Sequence, residues 1–301
     1  MELSQEILER KVISALNDRA RVDKISISIL DLSNQISRSV QKSKERLVSI
    51  NGEIPRYPAS IIKLFWAYQA LYQLQNSNNL DFLLEHMLVN SSDAAGQELV
   101  DLLTKTHEVE IHNFEYAYAQ RAELDNFWKA FGFRDLKARH KTFLDNYLNL
   151  DAWIKEVKGP NTVTSNMVVN LWKQIWINDS EPKLLETKRV EFLKWLKRKP
   201  TKAPILPSLF DSYCINRDKK AIDMKLDINN FDGDFQASLI GFNLPKDCDL
   251  YTKSGWRDDF ICDSGIIRKN SKCYAISVFS ELPLKDGLEF IRNFQFSFLI
   301  E

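Results

Sequence analysis

The sequence predicts an α+β fold: one antiparallel sheet flanked by terminal helices, with an all-helical block inserted in the middle of the chain. Three observations carry this. Residues 24–32 (KISISILDL) alternate isoleucine with serine, the period of a strand. Three more strand-like runs close the chain. What lies between is mostly of helical period.

Residues 4–18 place Ile7, Leu8, Val12, Ile13 and Leu16 at helical spacing, ahead of the strand at 24–32. Residues 46–57 (RLVSINGEIPRY) predict a second strand, with Asn51-Gly52 as its turn signal. Residues 60–75 are apolar nearly all round, which predicts a buried helix ended by Asn76 to Asn79. Helices follow at 80–90, 92–104, 122–131, 150–156, 165–177 and 188–199. Residues 198–245 hold four prolines and little periodicity, so they predict a long irregular excursion. The closing strands are 248–254, 260–268 and 272–280, and a helix at 284–298 carries the stripe Leu288, Ile291, Phe294 and Phe298. This makes a five-stranded sheet. It divides the chain into a sheet lobe (1–58 and 198–301) and a helical lobe (59–197), with a site expected in the cleft between them.

Composition excludes several functions. The 41 basic and 41 acidic residues cancel, which argues against a surface made to grip nucleic acid or anionic membrane. No apolar run approaches the ~18 residues of a membrane span. The nine glycines form no G-x-G-x-x-G, P-loop or G-x-S-x-G. His107 and His112 miss the H-E-x-x-H spacing by one residue, and Cys214, Cys248, Cys262 and Cys273 show no C-x-x-C, so no metal site is expected. The opening MELSQEILERKV lacks a leader's apolar core, so a cytosolic protein with reduced thiols is expected, or a periplasmic one if an export signal has been trimmed away. Cys262 and Cys273 read as buried thiols on neighbouring strands.

Three short stretches carry the chemistry. Ser60-Ile61-Ile62-Lys63 opens the buried helix. Ser60 falls at its N-terminus, where amides and dipole favour negative charge, and Lys63 shares its face. A lysine on an apolar helix loses proton affinity through desolvation and can serve as a base for the hydroxyl. S-x-x-K alone is a weak pattern: it recurs at Ser39–Lys42 and Ser180–Lys183 in polar surroundings, and Ser60 also reads as a helix cap. The second stretch, Ser91-Ser92-Asp93, also reads as an N-cap cluster. The third, Lys253-Ser254-Gly255-Trp256, ends a strand and is the chain's one K-[ST]-G.

Together, and in this order, the three resemble the S-x-x-K, S-D-N and K-T-G set of class A β-lactamases and penicillin-binding proteins. The resemblance extends over nearly the whole chain: helix, two strands, helical block, three strands, helix. Residues 161–172 (NTVTSNMVVNLW) resemble the segment after that family's omega loop. The resemblance implies a β-lactamase-like fold and these roles. Ser60 is the acylated nucleophile and Lys63 its base or proton shuttle. Ser91 passes a proton to the leaving nitrogen. Lys253 and Ser254 hold a substrate carboxylate, beside Gly255, and the amides of Ser60 and Trp256 form the oxyanion hole.

Two positions depart from the family. Asp93 stands where its asparagine donates to a substrate carbonyl, and an ionised aspartate only accepts. It also favours a charged Lys63. Asp145, in Asp145-Asn146-Tyr147-Leu148-Asn149, is the nearest match to the glutamate that activates the deacylating water. The expected protein is a cofactor-independent monomer that opens a β-lactam or related amide carrying a carboxylate. A penicillin-binding, amidase or esterase relative with slow deacylation is the alternative, as is a degenerate ligand-binding member.

Overall fold

The computed structural model describes residues 3–33, 46–74, 79–106, 113–141, 150–200, 238–257 and 259–301. Helix α1 (Gln5–Leu16) is capped by Ser4, whose hydroxyl accepts from the Ile7 amide. It leads to β1 (Ile25–Asp31) and β2 (Arg46–Ile50). The helical block comprises α2 (Ile62–Gln73), α3 (Leu80–Val89), α4 (Asp93–Thr104), α5 (Phe114–Ala130), the short α6 (Leu150–Trp153), α7 (Ser165–Ile177) and α8 (Glu186–Leu196). Strands β3 (Lys197–Arg198), β4 (Asp249–Arg257), β5 (Phe260–Lys269) and β6 (Lys272–Ser280) follow, and α9 (Leu284–Phe294) closes the chain.

The sheet is antiparallel throughout, in the order β2-β1-β6-β5-β4-β3. It therefore has six strands rather than the expected five. The added one is the two-residue β3, which pairs Lys197 with Tyr251 and Arg198 with Leu250. The helix expected over 188–199 stops at Leu196, and the chain turns extended at Lys197 to reach this edge.

The isoleucine–serine alternation in β1 has a different meaning from the usual half-exposed strand, because both faces are buried. Ile25, Ile27 and Ile29 pack with α1 and α9 in one apolar cluster. Ser26 and Ser28 face the other side at 0% exposure. There Ser28 Oγ lies 2.7 Å from Ser165 Oγ and donates to Asn166 Oδ1 (2.6 Å) on α7. Small hydroxyls let the helix approach and satisfy its polar start. A second apolar cluster fills the helical block around Phe65, Trp66, Trp128 and Trp172. The edge-on Phe65–Trp128 pair in it, at 5.1 Å between centroids, is a favoured aromatic geometry.

Other boundaries moved for local reasons. The strand expected to 57 ends at Ile50 because Asn51 is left-handed (φ 52°), its amide donating to the Val22 and Ile25 carbonyls. The helix expected at 122–131 begins at Phe114, capped by Asn113. The last helix breaks at Gln295 (φ 46°) into a 3₁₀ turn over Phe296–Leu299. The helix at 150–156 is one α turn plus a π turn over Ile154–Lys158. Most of the proline-rich excursion, with Cys214, lies outside the described residues, as do His107, His112 and Ser39–Lys42. Cys248, Cys262 and Cys273 are buried free thiols. Among the described residues, no helix is long and apolar enough to cross a membrane.

Candidate active site

Ser60 sits in a 3₁₀ turn (Ala59–Ile61) that runs directly into α2. Ala59 is held at φ 42°, a conformation that costs a non-glycine residue on the order of 1 kcal/mol or more. The next two residues to matter are also at a bend. Ser91 is left-handed (φ 54°), and Ser92 Oγ caps α4 by accepting from the Ala95 amide (3.2 Å). The serine pair thus divides its work. Ser92 is the cap that the sequence offered as one reading of both, and Ser91 is turned away from the helix toward β4.

Lys63 lies on α2 at 0% exposure. Its ammonium donates to the Ser91 carbonyl (2.7 Å) and to Asp93 Oδ1 (2.6 Å). Burial lowers its pKa, and the Asp93 charge opposes that. Among the described residues, no hydrogen bond joins Lys63 to the Ser60 hydroxyl, the contact expected from the S-x-x-K spacing.

Lys253 stands on the opposite wall. β3 covers β4 only at Leu250 and Tyr251, and beyond that β4 runs past the Ser60 turn. The fit is tight: a Cβ added to Gly255 would lie 2.6 Å from the Ser60 nitrogen and 2.9 Å from Ala59 Cβ. Only glycine allows this approach. Trp256, whose amide the resemblance implies for the oxyanion hole, is the next residue along the same strand. Lys253 Nζ donates to Ser91 Oγ (2.8 Å) and to the Ser254 carbonyl (2.9 Å). Its burial, then the charges of Lys63 and Arg198, push its pKa down to about 7.

The structure therefore brings Lys63, Ser91, Asp93, Lys253 and Ser254 into one hydrogen-bonded chain, with Ser60 and Gly255 packed beside it. Asp145 lies outside the described residues. Ser180 and Lys183 are exposed, as their polar setting suggested. Three neighbours were not anticipated. Arg198 donates to the Leu88 carbonyl (3.0 Å) and adds positive charge behind Lys253. The sequence placed it near the end of the helix expected over 188–199. Cys262 Sγ donates to the carbonyls of Gly255 (3.2 Å) and Pro58 (3.4 Å), fixing strand against turn. Tyr57 lies under the Arg257 guanidinium, 5.5 Å from the ring centroid, and is also within the field of Asp93. Among the described residues, no cluster of histidine, cysteine and carboxylate side chains is arranged to hold a metal ion.

Residues 161–163 have a structural task. Asn161 Nδ2 donates to the His140 carbonyl (2.7 Å), and its Oδ1 accepts from the His140 amide (3.1 Å). The Asn161 amide donates to His140 Nε2 (2.8 Å), so the ring carries its proton on Nδ1, which faces the Lys141 carbonyl (2.8 Å). Burial lowers the His140 pKa, which suits a neutral ring. This clasp ties His140 to Asn161.

The fold and the order of these elements define a β-lactamase-like α+β protein. Solved structures carry the same fold end to end. A β-lactamase from Sphaerobacter thermophilus superposes with a TM-score of 0.61 at 13% identity, over 99% of this chain and 97% of that one. One from Xanthomonas campestris gives 0.60 at 12%, over 99% and 98%. The extended-spectrum β-lactamase TLA-3 gives 0.60 at 14%, over 99% and 98%. In sequence, a model of the Beta-lactamase enzyme family matches residues 231–293, the stretch that contains the Lys253 motif. No curated protein matches the chain. The likeness read from the three motifs is to this superfamily of serine β-lactamases and penicillin-binding proteins.

Proposed function

We propose that the protein is a serine acyl-transfer hydrolase of the class A β-lactamase type, which opens a β-lactam or related amide through an acyl-enzyme on Ser60. The observation that supports it best is the convergence of three distant stretches. Lys63, Ser91 and Lys253 are linked by bonds of 2.7 and 2.8 Å beside a serine at a helix start. In this reading Ser60 Oγ attacks the carbonyl and loses its proton to the lysine–serine network. The oxyanion is met by the Ser60 and Trp256 amides, aimed where charge develops. As the C–N bond breaks, Ser91 gives its proton to the leaving nitrogen and is reprotonated from Lys253. Lys253 and Ser254 hold a carboxylate on the leaving side. Water, activated by Asp145 if that carboxylate reaches it, then releases the acyl group. The protein works as a monomer without cofactor.

Incubation with a fluorescent penicillin, read by intact mass spectrometry, tests this. An adduct on wild type that is absent from Ser60→Ala supports it. No adduct with a penicillin, an ester or a fluorophosphonate overturns it. One observation favours a second reading, a relative that acylates slowly or only binds its ligand: Lys63 is paired with Asp93 rather than with Ser60. That reading predicts a ligand-dependent thermal shift without product release. Multiple turnover abolished by Ser60→Ala eliminates it.

A further inference from the structure

The Lys63–Asp93 pair is unequally exposed to solvent. The lysine side chain is 0% exposed and the aspartate 37%. An incoming acyl group therefore meets a carboxylate, with the compensating ammonium hidden behind it. Its Oδ1 accepts from the Lys63 ammonium at 2.6 Å, and it stands in the first turn of α4. A carboxylate accepts hydrogen bonds and donates none. The Ser91 carbonyl beside it is also an acceptor, already used by Lys63. Across the cleft the polarity is reversed, with Lys253 backed by Arg198 on the strand side.

Resting on the reading of Ser60 as nucleophile, we propose that Asp93 is a specificity-determining residue, which selects acyl donors whose acyl side chain presents an amino or ammonium group. The substrate class is bipolar. A hydrogen-bond donor, best an amino group, lies on the acyl side against α4, and a carboxylate lies on the leaving side against β4. An acceptor placed against Asp93 leaves two acceptors facing each other with no proton between them, and a second anion there adds repulsion.

The test uses benzylpenicillin and its α-amino and α-carboxy derivatives, which differ at one side-chain carbon. Second-order rate constants for Ser60 acylation are measured at pH 6.5 by intact mass. The expected order is amino, then unsubstituted, then carboxy, with about tenfold between the first two, as suits a charged hydrogen bond at a half-exposed site. In Asp93→Asn, which keeps an oxygen for Lys63, the order flattens. The wild-type order stands as the test should that variant not fold. Equal rates for the three, or the reverse order that the cations Lys63, Lys253 and Arg198 would impose alone, overturn the proposal while leaving the acyl-enzyme intact. Failure of all three penicillins and of a fluorophosphonate to label Ser60 overturns the proposed function, and this inference with it.

Discussion

The helical wall of the candidate site, α2, and its strand wall, β4, each bury a lysine, and they surround it differently. On the helical wall, Lys63 has a carboxylate at 2.6 Å. On the strand wall, Lys253 has a serine hydroxyl and a carbonyl as its hydrogen-bond acceptors, and two further cations in its field. The same residue type thus has its loss of proton affinity opposed by a carboxylate on one side, and its pKa brought down to about 7 on the other. Burial lowers both pKa values, and the partners then act in opposite directions: Asp93 raises that of Lys63, while Lys63 and Arg198 lower that of Lys253 further. The helical wall offers a lysine bonded to a carboxylate. The strand wall offers a proton that can move near pH 7.

The largest effects should come from removing either lysine. Lys253→Met and Lys63→Met are each expected to slow Ser60 acylation by about 10²–10⁴-fold, the usual worth of positioned proton transfer. Their stabilities should diverge. Lys253→Met removes a buried cation without a carboxylate partner and should leave the melting temperature unchanged or higher. Lys63→Met strips Asp93 of its partner and should lower it by several degrees. Two equal shifts in thermal melts would erase the contrast between the walls.

Gly255→Ala probes the seam where the walls meet. A methyl group forced against the Ser60 nitrogen must push β4 away from the turn. Acylation is expected to fall by about 10²–10³-fold, as when one oxyanion donor is displaced, with a smaller change in stability. Unimpaired labelling of this variant by a penicillin would mean that the seam tolerates movement.

Next in size is a pH effect on stability. The folded pKa of Lys253, about 7, lies below its unfolded value. Between the two, the unfolded chain binds the extra proton, so the penalty of the buried charge is full below pH 7 and fades as pH rises above it. Denaturant titrations should show wild type gaining on Lys253→Met from pH 7 to 10, by at most about 1.4 kcal/mol per pH unit. For the same reason, binding of a carboxylate beside Lys253 at pH 8 should take up nearly one proton. Calorimetry in buffers of different ionisation enthalpy measures this.

The smallest expected effect lies at the clasp. His140 Nε2 accepts the Asn161 amide only while the ring is neutral. Its folded pKa is lowered, so the clasp's contribution is intact above the ordinary histidine value and is lost as pH falls below it. Hydrogen exchange at Asn161 should lose protection on acidification ahead of α2, whose amides report global opening.

The sequence made most of this legible, and the misses have causes. Ile25, Ile27 and Ile29 announced a strand because period-2 patterning reports the backbone directly. It did not say that Ser26 and Ser28 were buried, since a small polar face packed on a helix looks like one turned to water. The two-residue β3 left no pattern at all: Lys197 and Arg198 pair only because β4 offers them an edge. In the site, Ser60, Lys63, Ser91 and Lys253 were found through spacing and order. Asp93 was read beside Lys63 through the resemblance, and the two are paired, although 30 residues separate them; that Lys63 makes no bond to the Ser60 hydroxyl was not legible. Arg198 and Cys262 gave no signal, as each acts through backbone carbonyls that any sequence supplies.

The strand order has a consequence for synthesis. β1 emerges early, yet the neighbour that covers one of its edges is β6, joined from Ile25↔Ser280 to Asp31↔Tyr274. A nascent chain must therefore carry an apolar strand with an open edge until β6 has been made. Ser60 and Lys63 wait as long, because Lys253 arrives with the same late strands. Loss of β5, β6 and α9 would leave that edge of β1 an uncovered template for misassociation.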